Sequence, residues 1–209
     1  MTFVLGLTGS IGMGKSATAA MFRARGVPVH DADQAVHALY RGPAAALIEA
    51  AFPGTVENGV VDRKRLGARV LGHAAELKRL EAIVHPLVRR GEVDFLAAAR
   101  ARRAPLAVLD VPLLLETGGE ARCDAVLVVT AAAELQRARV LSRPGMTEAA
   151  LDAILAKQMP DAAKRARAHF LVDTGRGFPH AEAAVDGILR ALAGRPGRPR
   201  REDPNPDPS

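Results

Sequence analysis

The stretch Phe3-Val4-Leu5-Gly6-Leu7-Thr8-Gly9-Ser10-Ile11-Gly12-Met13-Gly14-Lys15-Ser16 decides how the rest of the chain is read. Its opening apolar run has the length of a buried strand, and Thr8-Gly9 turns out of it. From Lys15 to Arg25 the small and apolar residues Ala17, Ala20, Met21 and Ala24 recur at helical spacing, and Gly26 supplies a stop. Between strand and helix, Gly9 to Ser16 satisfies G-x-x-x-x-G-K-[ST] in the setting that the motif requires. Glycines there let backbone N–H groups turn inward around phosphate oxygens, and the helix N-terminus adds partial positive charge. Ile11, Gly12, Met13, Gly14, Lys15 and Ser16 are therefore expected to hold the phosphates of ATP. Lys15 would reach the β- and γ-phosphates, and the Ser16 hydroxyl would ligate Mg²⁺. A Gly-rich turn with an incidental lysine would need both flanks to be coincidence. The loop specifies a nucleoside triphosphate and magnesium, and leaves open what is done with them.

Outward from the loop, Val27-Pro28-Val29-His30 reads as a second short strand closed by Asp31-Ala32-Asp33. Residues from Gln34 to about Ala104 are mainly helical, with a loop at Phe52-Pro53-Gly54 and a turn near Asn58-Gly59, and read as an insertion beside a sheet. Leu106 to Leu109 ending at Asp110, Ala125 to Val129, and Phe170 to Val172 are further strands, and Ala181 to Leu192 is a closing helix. Glu134 to Arg143 and Glu148 to Ala156 are two charged helices parted by Pro144-Gly145, a pair able to close over a ligand. The alternation predicts an α/β fold: a three-layer, P-loop NTPase-like core with a parallel sheet, a helical substrate-binding region and a helical lid at about 134–167. Residues 1–193 are expected to form one domain, and 194–209 a disordered tail that holds five of the 14 prolines.

With 209 residues, 48% hydrophobic and 25% charged, the chain has enough material for a core. Cys123 is the single cysteine and is expected to be a buried, inert thiol in a reducing cytoplasm. The N-terminus lacks the basic and apolar regions of a signal peptide, and no apolar run approaches a membrane span. The formal charge of +6 suits an anionic ligand, while 3% aromatics leave few stacking platforms for single-stranded nucleic acid. The tail sets four arginines against Glu202, Asp203 and Asp207, so +5 of the charge belongs to the body. A cytoplasmic protein that binds neither membrane nor nucleic acid is expected, with the oligomeric state open and a monomer favoured.

Other residues must decide the acceptor. Asp31 and Asp33 follow the second strand, where open parallel sheets bind ligands, so one of them is a candidate general base. Either could instead cap the helix that starts near Gln34. Asp110 ends a hydrophobic strand as an acid that holds Mg²⁺ directly or through water. Gln136, Arg139 and Arg143 fall at i, i+3 and i+7 on one helical face, where a closing lid could bring guanidinium groups onto phosphates. A solvated basic face gives the same spacing.

Taken in order, Leu7 to Ser16, Asp31-Ala32-Asp33, Leu80-Glu81-Ala82-Ile83-Val84-His85-Pro86-Leu87-Val88-Arg89, Asp110 to Glu116, Gln136 to Thr147, and Gln158-Met159-Pro160 with Lys164-Arg165 resemble the dephospho-CoA kinase family. The resemblance runs from about Phe3 to Leu192. It implies transfer of the γ-phosphoryl group of ATP to the ribose 3′-hydroxyl of dephospho-CoA, the last step of coenzyme A synthesis. It further implies that Asp33 is the base, that Lys15, Arg139 and Arg143 serve catalysis, and that Asp31, Asp33, His85 and Glu116 lie on the acceptor side. A helix-stabilising or packing role for His85 stays open. Asp173-Thr174-Gly175 departs from the family's frequent Asp-Asn, and Leu115 replaces a common aromatic. Two rival readings share the loop: another small-molecule P-loop kinase, and a nucleic-acid-dependent ATPase.

Overall fold

A computed structural model describes residues 1–198. In chain order the elements are β1 (Phe3–Thr8), α1 (Lys15–Ala24), β2 (Val29–Asp31), α2 (Ala32–Leu39), α3 (Pro43–Ala51), β3 (Val56–Glu57), β4 (Val60–Val61), α4 (Arg63–Val70) and α5 (Ala74–Ala101). They continue with β5 (Leu106–Asp110), β6 (Ala125–Thr130), α6 (Ala133–Leu141), α7 (Glu148–Leu155), α8 (Asp161–Ala166), β7 (Phe170–Asp173) and α9 (Phe178–Leu192). The described residues divide into two compact units, one made of Met1–His30 and residues 99–198, the other of Asp31–Ala98.

The first unit carries a five-stranded parallel sheet in the order β2-β5-β1-β6-β7. The expected α/β class and parallel core are what the chain forms. Along β1 the side chains alternate between the two faces of the sheet. Phe3, Leu5 and Leu7 join Phe22 of α1, Val108, Leu127 and Val129 of the neighbouring strands, and Val185, Ile188 and Leu192 of α9 in one core. Val4, Ala107, Leu109, Val126 and Val128 point the other way and are equally buried. On that side a side chain at Gly6 would collide with Leu114 and Cys123. Both faces are therefore covered, which is why the strands read as unbroken apolar runs. The chain leaves β1 and β6 in opposite directions across the sheet, and the loop after β1 opens at this switch.

The second unit has its own core of Ala44, Ile48, Phe52, Val61, Leu66, Val70, Leu80 and Val84. It contains the antiparallel hairpin β3–β4, which the turn signal at Asn58-Gly59 marked without its strands being foreseen. Each of its strands has only two residues, too few to show a period. The Glu49 carboxylate accepts from the N–H groups of Gly54, Thr55 and Val56, at 2.7, 3.1 and 2.9 Å, and so closes the loop at Phe52-Pro53-Gly54. The N–H of Gly54 contributes most to holding this carboxyl below its usual range. Helix α5 runs 28 residues, about 42 Å, through Pro86, which leaves the Ala82 carbonyl without its helical donor.

The expected tail starts too early. Gly197 is buried and its N–H donates to Met1 O at 3.2 Å, while Arg198 N–H donates to Asp124 Oδ1 at 3.0 Å. Asp124 Oδ2 in turn accepts from Val4 N–H at 2.7 Å, so residues 194–198 lie along the start of β1. The rest of the expected tail, 199–209, is outside the described residues. Among the described residues no helix is long and apolar enough to cross a membrane.

Candidate active site

The phosphate-binding loop has the backbone that its glycines allow. Gly12 and Gly14 adopt φ of 77° and 92°, a left-handed conformation that side chains disfavour. Space forbids a side chain as well: a Cβ on Gly12 would sit 2.6 Å from Val140, and one on Gly14 would sit 3.0 Å from Thr174. Gly14 stands at the N-cap of α1, so the loop feeds directly into the helix N-terminus. Ser16 is exposed in the first turn.

Lys15 Nζ lies 2.5 Å from Asp110 Oδ1, and the Asp110 side chain is 1% exposed. A carboxylate this deep is held by a cation at the place where the strand ends, and the same carboxylate was read from the sequence as metal-side. Thr8 Oγ1 donates to Pro112 O at 2.9 Å and ties the end of β1 to the segment after β5.

The loop is gripped from outside by side chains at the base of the expected lid. The Ile11 N–H donates to Gln158 Oε1 at 3.1 Å, and Gln136 Nε2 donates to Ile11 O at 2.7 Å. Arg139 does not stand at a moving tip. Its guanidinium donates to Thr174 Oγ1 and Thr174 O at 2.8 and 3.0 Å, and reaches Gly12 O at 3.4 Å. Arg143, beyond the end of α6, is exposed. Thr147 caps α7 by accepting from Ala150 N–H at 3.2 Å, and Arg137 pairs with Glu148 and Asp152, which joins α6 to α7.

Glu116 and Lys164 form a second buried pair, 2.8 Å apart, with Lys164 wholly buried. The same Glu116 oxygen accepts from Met159 N–H at 2.9 Å, which fixes the segment that carries Gln158. Burial acts to raise the Glu116 carboxyl, but Lys164 and the Met159 N–H together hold it below its usual value. Its other oxygen is buried without a hydrogen-bond partner among the described residues. Glu116, expected on the acceptor side, is thus engaged on one oxygen with the chain's own residues. Cys123 is buried, as expected.

In the second unit the two aspartates stand in different settings. Asp31 caps α2 by accepting from Gln34 N–H at 3.0 Å, whereas Asp33, one residue into the helix, is exposed. His85 is exposed on α5, so its ring packs into no core. Thr174, Gln158 and Lys164 were not singled out as site residues from the sequence. Gln158 and Lys164 stood inside a resembling block, while Thr174 stood out only as a departure from one.

The dephospho-CoA kinase family model matches residues 3–179. A dephospho-CoA kinase from Mesorhizobium japonicum is 65% identical over 194 residues, covering 93% of this chain and 98% of its own. One from Rhodopseudomonas palustris is 58% identical over 195 residues, covering 93% and 98%. The crystal structure of TT1252 from Thermus thermophilus superposes with a TM-score of 0.81 at 36% identity, covering 92% of this chain and 99% of its own. With its loop, buried lysine–aspartate pair and parallel sheet, the chain belongs to the dephospho-CoA kinase family.

Proposed function

We propose that the protein phosphorylates dephospho-CoA, and that Asp33 is the base and Ser16 and Asp110 face the metal. In this reaction an oxygen–phosphorus bond forms between the ribose 3′-oxygen and the γ-phosphorus of ATP. The bond from that phosphorus to the β–γ bridging oxygen breaks, and ADP leaves. The hydroxyl proton goes to the Asp33 carboxylate, whose exposure leaves both oxygens open to an acceptor.

The pairing of Lys15 with buried Asp110 at 2.5 Å carries this reading. It sets a phosphate-seeking cation and a metal-seeking carboxylate side by side at the mouth of the loop. Bound phosphates draw Lys15 away from Asp110 and free a hard oxygen ligand at that point. The Ser16 hydroxyl and the Asp110 carboxylate are the oxygen donors that would hold Mg²⁺, which when bound would offset the charge of the phosphates. Arg143, exposed beyond the end of α6, is assigned to the transferring group, and His85 and Glu116 to the acceptor side.

The test is steady-state kinetics of Asp33→Asn. A kcat lowered by about 10²-fold or more, with ATP affinity within about two-fold of the parent, is expected for loss of a general base. Unchanged turnover would remove Asp33 from that role. Chelation of divalent cations is expected to stop turnover, and restored Mg²⁺ to return it.

A further inference from the structure

Three consecutive carbonyls of the loop are each met by a side chain from outside it. Gln136 takes Ile11 O at 2.7 Å, Arg139 reaches Gly12 O at 3.4 Å, and the Thr174 hydroxyl donates to Met13 O at 2.7 Å. Thr174 is the junction of this set. Its hydroxyl has one proton, which goes to Met13 O, so its lone pairs are left to accept from Arg139 Nη1 at 2.8 Å. Its carbonyl accepts from Arg139 Nη2 at 3.0 Å, and its N–H donates to Thr130 O at 3.0 Å, at the end of β6. Guanidinium, loop and central sheet therefore meet on one residue.

A trans peptide is planar, with its C=O and N–H pointing in opposite directions. Holding Ile11 O and Met13 O against outside side chains turns the N–H groups of Gly12 and Gly14 the other way, the direction in which a phosphate nest presents its donors. We infer that Thr174, with Arg139 seated on it, is a positioning residue that sets the loop in its phosphate-receiving shape before the nucleotide arrives. Without the hydroxyl, Met13 O loses its donor and Arg139 one of its two acceptors on Thr174. The Met13–Gly14 peptide can then rotate, and the ordering left undone in the free protein weakens nucleotide binding. The inference rests on the reading that this loop holds ATP phosphates.

The test compares Thr174→Val, which keeps shape and removes the hydroxyl, with Thr174→Ser, which restores it. ADP binding with Mg²⁺ by calorimetry, KM for each substrate and the unfolding temperature are measured for both. Thr174→Val is expected to weaken ADP binding and raise the KM for ATP about ten-fold, or about 1.4 kcal/mol. The KM for dephospho-CoA is expected to stay unchanged, and Thr174→Ser to bind ADP within about two-fold of the parent. A lower unfolding temperature with unchanged ADP affinity in Thr174→Val would make the residue merely structural and overturn the inference. A parent protein that binds no ADP would instead overturn the nucleotide reading beneath it.

Discussion

Lys15 is paired with Asp110. It sits 2.5 Å from a carboxylate that is 1% exposed, so its removal acts twice. Lys15→Met is expected to abolish phosphoryl transfer and also to destabilise the nucleotide-free protein, by about 3 kcal/mol, because the buried Asp110 carboxylate loses this cation. Urea unfolding without nucleotide checks the second effect, and a parent-like midpoint would mean that the pair contributes nothing to the fold. At this scale much was legible. The glycines, Lys15 and Ser16 announce themselves by spacing, and Asp110 by ending an apolar run. That Asp31 is the residue that caps α2 was not legible, because an aspartate beside a helix start serves as cap or as base with the same letters. Thr174 stood out only as a departure from the resembling block, since the carbonyl that its hydroxyl meets lies 161 residues earlier in the chain.

Among the elements, α8 depends on a contact that the sequence disguises. Lys164 falls in the stretch Lys164-Arg165-Ala166-Arg167, three cations in four residues, yet its side chain is wholly buried against Glu116. Burial raises the Glu116 carboxyl while Lys164 and the Met159 N–H lower it, and the net result lies below the ordinary 4.5. The pair's stability is therefore present above about pH 4.5 and is lost as pH falls through the lower, folded value. Glu116→Gln is expected to cost about 3 kcal/mol at pH 7, since it strands a buried ammonium. The difference from the parent should shrink as pH drops below 4.5. Thermal unfolding across that range measures it, and a gap that stays constant with pH would show that the ionised carboxylate is not the cause. The longer elements were readable, β1, β5 and β6 as unbroken apolar runs and α1 from its helical spacing. The hairpin β3–β4 and α8 were not, being two and six residues long.

For the whole molecule, the chain end shows what composition can and cannot say. A Pro- and Arg-rich stretch cannot build a core of its own, which is why the tail read as disordered from Gly194. Its first residues are nevertheless held by acceptors just before β1 and β6, Met1 O and the Asp124 carboxylate. Truncation after Ala193 is expected to lower the unfolding temperature by about 4 °C, chiefly from the hydrogen bonds to Met1 O and Asp124, about 1 kcal/mol each, with kcat within a few-fold. Truncation after Arg198 keeps both bonds and should leave that temperature unchanged. Equal temperatures for the two truncations would show that residues 194–198 contribute nothing.

The central claim is that the loop, the base and the family's substrate belong to one reaction, and release of ADP from ATP and Mg²⁺ with a panel of acceptors tests it most directly. The account predicts ADP formation that depends on dephospho-CoA and yields one phosphate on its ribose 3′-oxygen, with background rates for a nucleoside monophosphate, shikimate and no acceptor. Turnover with another acceptor only, or ATP hydrolysis that needs no acceptor, would contradict it.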